Sequence, residues 1–276
     1  MTTHYFTVDV EEYFHVSALE AFVRRTDWLA FQPRAAASVD RLLGLMAAYG
    51  VHGTFFVLGW VAEQYPDLVR RIAAAGHEIA SHGWAHERVT TLTPKDFRND
   101  IRRAKRALED LCGQAVLGYR APSFSITRDN EWALDVLVDE GYVYDSSLMP
   151  VRRPGYGYRG GGADVHWLRR AYGRLLELPP ATLEVLGVRL PAGGGAYLRL
   201  LPAGVVRTAF KECEKRGMPG TLYVHPWEFD PDQPRFRVPW WTRIRHYGGL
   251  ATAEGRLRRL FEEFRFGPIA SCPELQ

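Results

Sequence analysis

Through the first half of the chain, short apolar runs alternate with stretches whose apolar residues recur every three or four positions. The runs Tyr5 to Val10 and Gly53 to Leu58 predict strands, and shorter ones follow at His77 to Ala80, Ala115 to Tyr119 and Tyr142 to Tyr144. Between them, helical spacing covers Val39 to Tyr49, the stretch from Pro66 to Gly76, and Asp129 to Glu140. Strands alternating with helices predict a parallel sheet with crossover helices. The clearest helix opens at Thr93-Pro94, where Thr93 can cap, Pro94 fits the first turn and Asp96 meets the positive end. Phe97, Ile101, Ala104, Leu108 and Leu111 then make one apolar stripe, and Gly113 ends it.

The texture changes near Met149. From 149 to 173 the chain is rich in Gly, Arg and aromatics, and it predicts a long irregular excursion. Beyond it, strands are expected around Leu175 to Leu178, Leu183 to Leu186 and Leu222 to His225. Helices are expected from about Pro202 to Arg216 and from about Ala251 to Phe264. With no repeat and no long polar linker, the expectation is one domain over residues 1–276, with 226–276 as a C-terminal extension.

Composition narrows the classes. The chain has 276 residues, 46% hydrophobic and 24% charged, as in ordinary globular proteins. A net charge of +3, with the arginines scattered, gives no basic run for nucleic acid. The three cysteines, Cys112, Cys213 and Cys272, lie far apart without a CxxC pair, which favours free thiols in a reducing compartment. Neither a signal peptide nor a run of ~18 apolar residues is present, so the expectation is a cytoplasmic protein without a membrane span.

Candidate chemistry sits at the strand ends. Asp9 lies inside the first apolar run and Glu11 just beyond its end, where an unpaired carboxylate is costly. Side chains alternate along a strand, so Asp9 and Glu11 share a face that Val10 does not. His82 and His86, four apart in Ser81-His82-Gly83-Trp84-Ala85-His86, can converge on one metal if the segment makes a helical turn at Gly83. With an acid they would form a two-His, one-carboxylate set. Arg120, in Tyr119-Arg120-Ala121-Pro122, is placed either to hold Asp9 ionised or to form a structural ion pair. His225, before Pro226-Trp227-Glu228, is either a general acid or a packed core histidine.

In this order the segments resemble the polysaccharide deacetylase family. TVDVE resembles its first motif, SHGWAH its HxxxH metal motif, RAPSF its RxP motif and LYVHPW its Leu-x-His-Pro region. VDVEEYFH, GGGAY and HPWEFD resemble more narrowly the branch associated with exopolysaccharide and exosortase loci, over nearly the whole chain. The resemblance implies a distorted (β/α)7-type barrel with irregular C-terminal additions and one divalent metal ion, most often zinc. It implies a hydrolase that removes N-acetyl groups from amino sugars of a bacterial polysaccharide or its oligosaccharide precursor. Asp9 matches the base, His225 the acid, Arg120 the residue that orients the base, and His82 and His86 metal ligands. The usual adjacent aspartates are interrupted by Val10, so the acidic ligand becomes Glu11, with Glu12 the alternative. Tyr119, Pro122, Asp145 and Trp227 are expected to line the substrate site, with a backbone N–H of Tyr119 or a neighbour holding the oxyanion. The partners implied are an N-acetylated poly- or oligosaccharide and exopolysaccharide assembly machinery. Two other readings remain open at this point: a cyclic amide or imide hydrolase, and a catalytically inactive carbohydrate-binding protein.

Overall fold

The structure, a computed structural model, describes residues 2–151 and 156–276. Its strands are β1 (Thr3–Val10), β2 (Thr54–Val57), β3 (Glu78–Ser81), β4 (Gly118–Tyr119), β5 (Tyr144–Asp145), β6 (His166–Arg170), β7 (Gly173–Glu177), β8 (Thr182–Val185), β9 (Val188–Pro191), β10 (Thr221–Val224) and β11 (Arg265–Gly267). The helices are α1 (Ala35–Ala48), α2 (Gly59–Gln64), α3 (Pro66–Ala74), α4 (Pro94–Cys112), α5 (Trp132–Asp139), α6 (Ala196–Leu200), α7 (Ala203–Lys215), α8 (Trp240–Tyr247) and α9 (Leu250–Glu263).

The central sheet is mixed and runs β10-β1-β2-β3-β4-β5-β7-β6, with β11 also paired to β1 and β8-β9 a separate hairpin. Among the described residues, only the β6-β7 pair in the central sheet is antiparallel. No ladder joins its two ends among the described residues. Instead, isolated parallel bridges from Pro180 to Thr221 and from Gly194 to Tyr223 lay the chain beyond β7 against β10. The architecture is therefore α/β, with a curled central sheet and further helices and strands after residue 146.

Strand β1 is buried on both faces, as a central parallel strand must be. Phe6, Val8 and Val10 pack outward into the large core beneath the helices. Tyr5 packs inward with Phe56, Ala80, Tyr144 and Leu176. Helix α4 follows its sequence pattern: the Thr93 side chain accepts from Asp96 N, Gly113 closes the helix in the left-handed region, and Phe97, Ile101, Ala104 and Leu108 are buried. Burying each large residue of that stripe contributes about 1.5–3 kcal/mol, as an upper bound.

Several expectations need correction. The excursion predicted over 149–173 contains β6, and residues 152–155 of it lie outside the described residues. The supposed extension 226–276 supplies β11, which pairs with β1 inside the main sheet. Strands expected at Ala115 to Tyr119 and Tyr142 to Tyr144 shrink to two residues each. Their flanks carry the chain into and out of the sheet without laddering.

Candidate active site and metal centre

Adjacent parallel strands bring their carboxyl ends together here, the usual location for sites in such sheets. Asp9 is in β1, His82 follows β3, Arg120 follows β4 and His225 follows β10. Backbone bonds fix the first residues past two strand ends: His82 N donates to Val57 O at 3.0 Å, and Arg120 N to Ser81 O at 3.0 Å.

Ligand atoms of Glu11, His82 and His86 all lie within 4.8 Å of one another. Glu11 Oε2 is 3.0 Å from His86 Nε2, yet it accepts no hydrogen bond. Its other oxygen accepts from Trp227 Nε1 at 3.1 Å. The His82 Nδ1 pairs with the Arg120 carbonyl at 2.8 Å, which as a donor contact leaves Nε2 with its lone pair. Burial pushes His82 down to about 4 and His86 well below its ordinary range, so both rings are neutral. The same burial raises Glu11 to about 7. A buried acid with one unbonded oxygen beside two neutral imidazoles fits a divalent cation.

The loop that carries the histidines is not the helical turn that their spacing suggested. Gly83 has φ +74° and His86 φ +54°, so the chain turns through two left-handed residues. Asp100 of α4 pins this turn by accepting from Trp84 N at 3.0 Å. A side chain at Gly83 would stand 2.8 Å from that carboxylate. Gly59 leaves room for the Trp84 ring, since a Cβ there would come within 2.3 Å of it.

Arg120 is completely buried, and each of its three side-chain nitrogens donates a hydrogen bond. Its Nη1 donates to Asp9 Oδ1 at 2.7 Å and Thr7 Oγ1 at 2.8 Å, while Nε and Nη2 reach the carbonyl and hydroxyl of Ser146 at 3.1 and 2.8 Å. One Asp9 oxygen is thus committed to the guanidinium. The other, Oδ2, lies 3.8 Å from His225 Nε2, which is also 3.6 Å from Glu11 Oε1. Both acids therefore reach the same imidazole, as strand alternation predicts.

His225 is held from behind. Its Nδ1 and Glu228 Oε2 are 3.1 Å apart, its backbone N–H donates to the same oxygen at 2.9 Å, and Arg199 Nε donates to Glu228 Oε1 at 2.5 Å. Burial disfavours the imidazolium, but the charge and hydrogen bond of Glu228, then Glu11 and Asp9, raise His225 to about 9. Burial also opposes ionised Glu228, and Arg199 and His225 overcome that to hold it at about 2. The His225 side chain, 18% exposed, is the most open of the group, against 7% for His86 and 1% for Glu11.

Residues 24–142 match the sequence model of polysaccharide deacetylases. Over this segment, rather less than half of the chain, the protein matches the polysaccharide deacetylase family. Residues 146–273 match a domain of unknown function (DUF3473). A peptidoglycan deacetylase of Helicobacter pylori is 32% identical over 111 residues, covering 40% of this chain and 37% of that protein. The aligned region is thus little more than a third of that curated relative's length. Among solved structures, a Mycobacterium smegmatis protein assigned as a polysaccharide deacetylase superposes with a TM-score of 0.63 at 23% identity, covering 96% of this chain and 85% of that one. Puue allantoinase gives 0.60 at 18%, covering 96% and 86%. A Bacillus anthracis family pseudoenzyme gives 0.52 at 13%, covering 97% and 64%. At these identities the likeness concerns the fold alone.

Of the polysaccharide deacetylase positions expected from sequence, the structure brings Asp9, Glu11, His82, His86, Arg120 and His225 together. Glu12 goes elsewhere: its carboxylate accepts from the backbone N–H groups of Arg34 and Ala35, each at 3.0 Å, and caps α1. Tyr119 does not line the site, because its ring is buried against Phe97 and Tyr142. Asp145 is also wholly buried, bonded to Ser147 Oγ at 2.5 Å and paired with Glu177, and lines nothing. Pro122 is buried at the head of a turn in which Ser123 and Phe124 both have positive φ. Trp227 is buried too, stacked on His225 at 5.1 Å, so its contact is with Glu11 and His225. Sequence reasoning missed Glu228 and Arg199. Glu228 had a signal, the three-residue spacing of a capping box from His225. Arg199 had none, since it sits in a five-residue helix too short for periodicity.

Proposed function

We propose that this protein is a metal-dependent hydrolase that removes N-acetyl groups from amino sugars of a bacterial polysaccharide or its oligosaccharide precursor. The observation that carries the reading is the convergence of Glu11, His82 and His86 beside an arginine-bound Asp9 and a carboxylate-backed His225. Glu11, His82 and His86 would hold the cation, and zinc suits their donor set. When bound, such an ion supplies Lewis acidity, lowering the pKa of water and polarising the acetyl oxygen.

The chain's own residues do the rest. Arg120 fixes Asp9 through Oδ1, which leaves Oδ2 to accept the proton of the attacking water. His225, charged through Glu228, gives a proton to the nitrogen as the C–N bond breaks. Water's hydroxyl ends on the acyl carbon, so the products are acetate and a free amine. Residues 1–276 are read as one catalytic unit on a (β/α)7-type barrel drawn together by the bridges to β10. A cytoplasmic setting and a link to exopolysaccharide assembly belong to the same proposal.

The test is acetate release from a panel of N-acetylated oligosaccharides, with and without chelator and with added zinc. Release that chelator stops and zinc restores is the expected result. Intact sugar binding with no acetate release under saturating zinc would instead identify an inactive binding protein.

A further inference from the structure

Helix α8 and the segment before it form a feature that the proposed chemistry does not use. A cleft of about 540 Å³ is lined by Arg235, Phe236, Arg237, Val238, Pro239, Arg243 and Tyr247, with no acid among them. Arg235, Arg237, Arg243 and Arg245 are all exposed, and none forms an ion pair among the described residues. Of the two acids before them, Asp230 is already engaged by Arg34 at 2.7 and 2.8 Å, and Asp232 is exposed and forms no ion pair with these arginines among the described residues. The outer face of α8 carries Trp240, Trp241 and Ile244, exposed by 69%, 60% and 53%. Its inner face, Thr242, His246 and Tyr247, is buried.

From this pairing of unpaired guanidinium groups with protruding apolar side chains, we infer that α8 and its arginine cleft dock the protein on an anionic phospholipid surface. Arginines beside a lipid surface attract its phosphates, and tryptophans favour the boundary between headgroups and acyl chains. A sugar-stacking platform fits less well. The two indoles stand at 77° to each other, so they cannot offer both faces to one flat ligand, and Ile244 has no ring to stack. The docking element is tied to the candidate site, because His246 packs on Trp227 with ring centroids 4.5 Å apart and Trp227 holds Glu11. Docking would therefore set the site close to a membrane, within reach of lipid-anchored saccharides.

The test is co-sedimentation of the full chain with vesicles of phosphatidylcholine alone or mixed equally with phosphatidylglycerol. Binding is expected only to the anionic vesicles and should weaken as salt rises. The double variant Arg237→Ala/Arg243→Ala should bind them roughly 30-fold more weakly. Trp240→Ala/Trp241→Ala should also lose binding. All four side chains are exposed, so both variants should keep the parent's far-UV circular dichroism and its turnover of any soluble substrate. Equal binding to neutral vesicles, unaltered binding by folded double variants, or binding of an anionic oligosaccharide but not vesicles would each overturn the inference. Vesicle binding needs no turnover, so this outcome is independent of the hydrolase reading.

Discussion

Glu11 and Glu12 are adjacent acids with opposite duties, and substitution should separate them. Glu11→Ala is expected to abolish tight divalent metal binding, as are His82→Ala and His86→Ala, because each removes one of three clustered donors. Glu12→Ala should keep the metal and instead lose roughly 1–3 kcal/mol of stability, since two amides at the start of α1 lose their acceptor. Metal analysis and urea unfolding of both variants check this; equal metal loss in the two would refute it. A second expectation concerns pH. His225 is raised to about 9, so its protonated, donating form is present below that pH and is lost as pH rises through it. Glu228→Gln removes the anion that raises it, and the alkaline limb of the rate profile should move to lower pH by ~1–3 units. A limb that stays in place would show that His225 is not the titrating donor. Strand alternation made the Asp9 and Glu11 placement legible in the sequence. The backing of His225 was not legible, because Arg199 arrives from a distant short helix.

Helices were readable where they were long and periodic, and strands where they form apolar runs. Helices α1, α3, α4, α7 and α9 and strands β1, β2, β3, β7 and β10 fall where the apolar pattern places them. Not readable were α2 and α6, too short for a helical period, β11, of three residues, and β6, whose His166–Arg170 is largely basic rather than an apolar run. Their positions are set by contacts distant in sequence, and the glycines of the 193–195 loop show how. Gly194, with φ +136°, lies so close to β10 that a Cβ would sit 1.7 Å from the Tyr223 carbonyl oxygen. This approach seats α6, and with it Arg199 behind Glu228. Gly194→Ala should therefore cost ~3 kcal/mol and lower turnover together. Gly204→Ala in α7, where nothing lies within 4 Å of the added methyl, is the control and should be neutral or mildly stabilising. Denaturant midpoints of the two variants decide the point, and similar values would show that the loop tolerates displacement.

At the scale of the molecule, the two matched segments, 24–142 and 146–273, share one sheet, because β1 pairs with β10 on one side and with β11 and then β2 along the other. A fragment ending at residue 145 lacks His225 and leaves the outer edge of β1 bare. It is expected to lack a cooperative unfolding transition by circular dichroism; a sharp, two-state transition would show that the first segment folds alone. The same pairing bears on how the chain is made. Tyr5, Phe6, Thr7 and Val8 leave the ribosome well before their partners Thr221 to Val224, which follow 216 positions later in the chain. Until then a strand rich in apolar side chains waits with its hydrogen-bonding edge open, and every such interval is an opportunity for two nascent chains to pair with each other. The join between the first and last parts of the sheet thus makes the pace of translation, and whatever shelters the emerging chain, a determinant of how much protein reaches the native state.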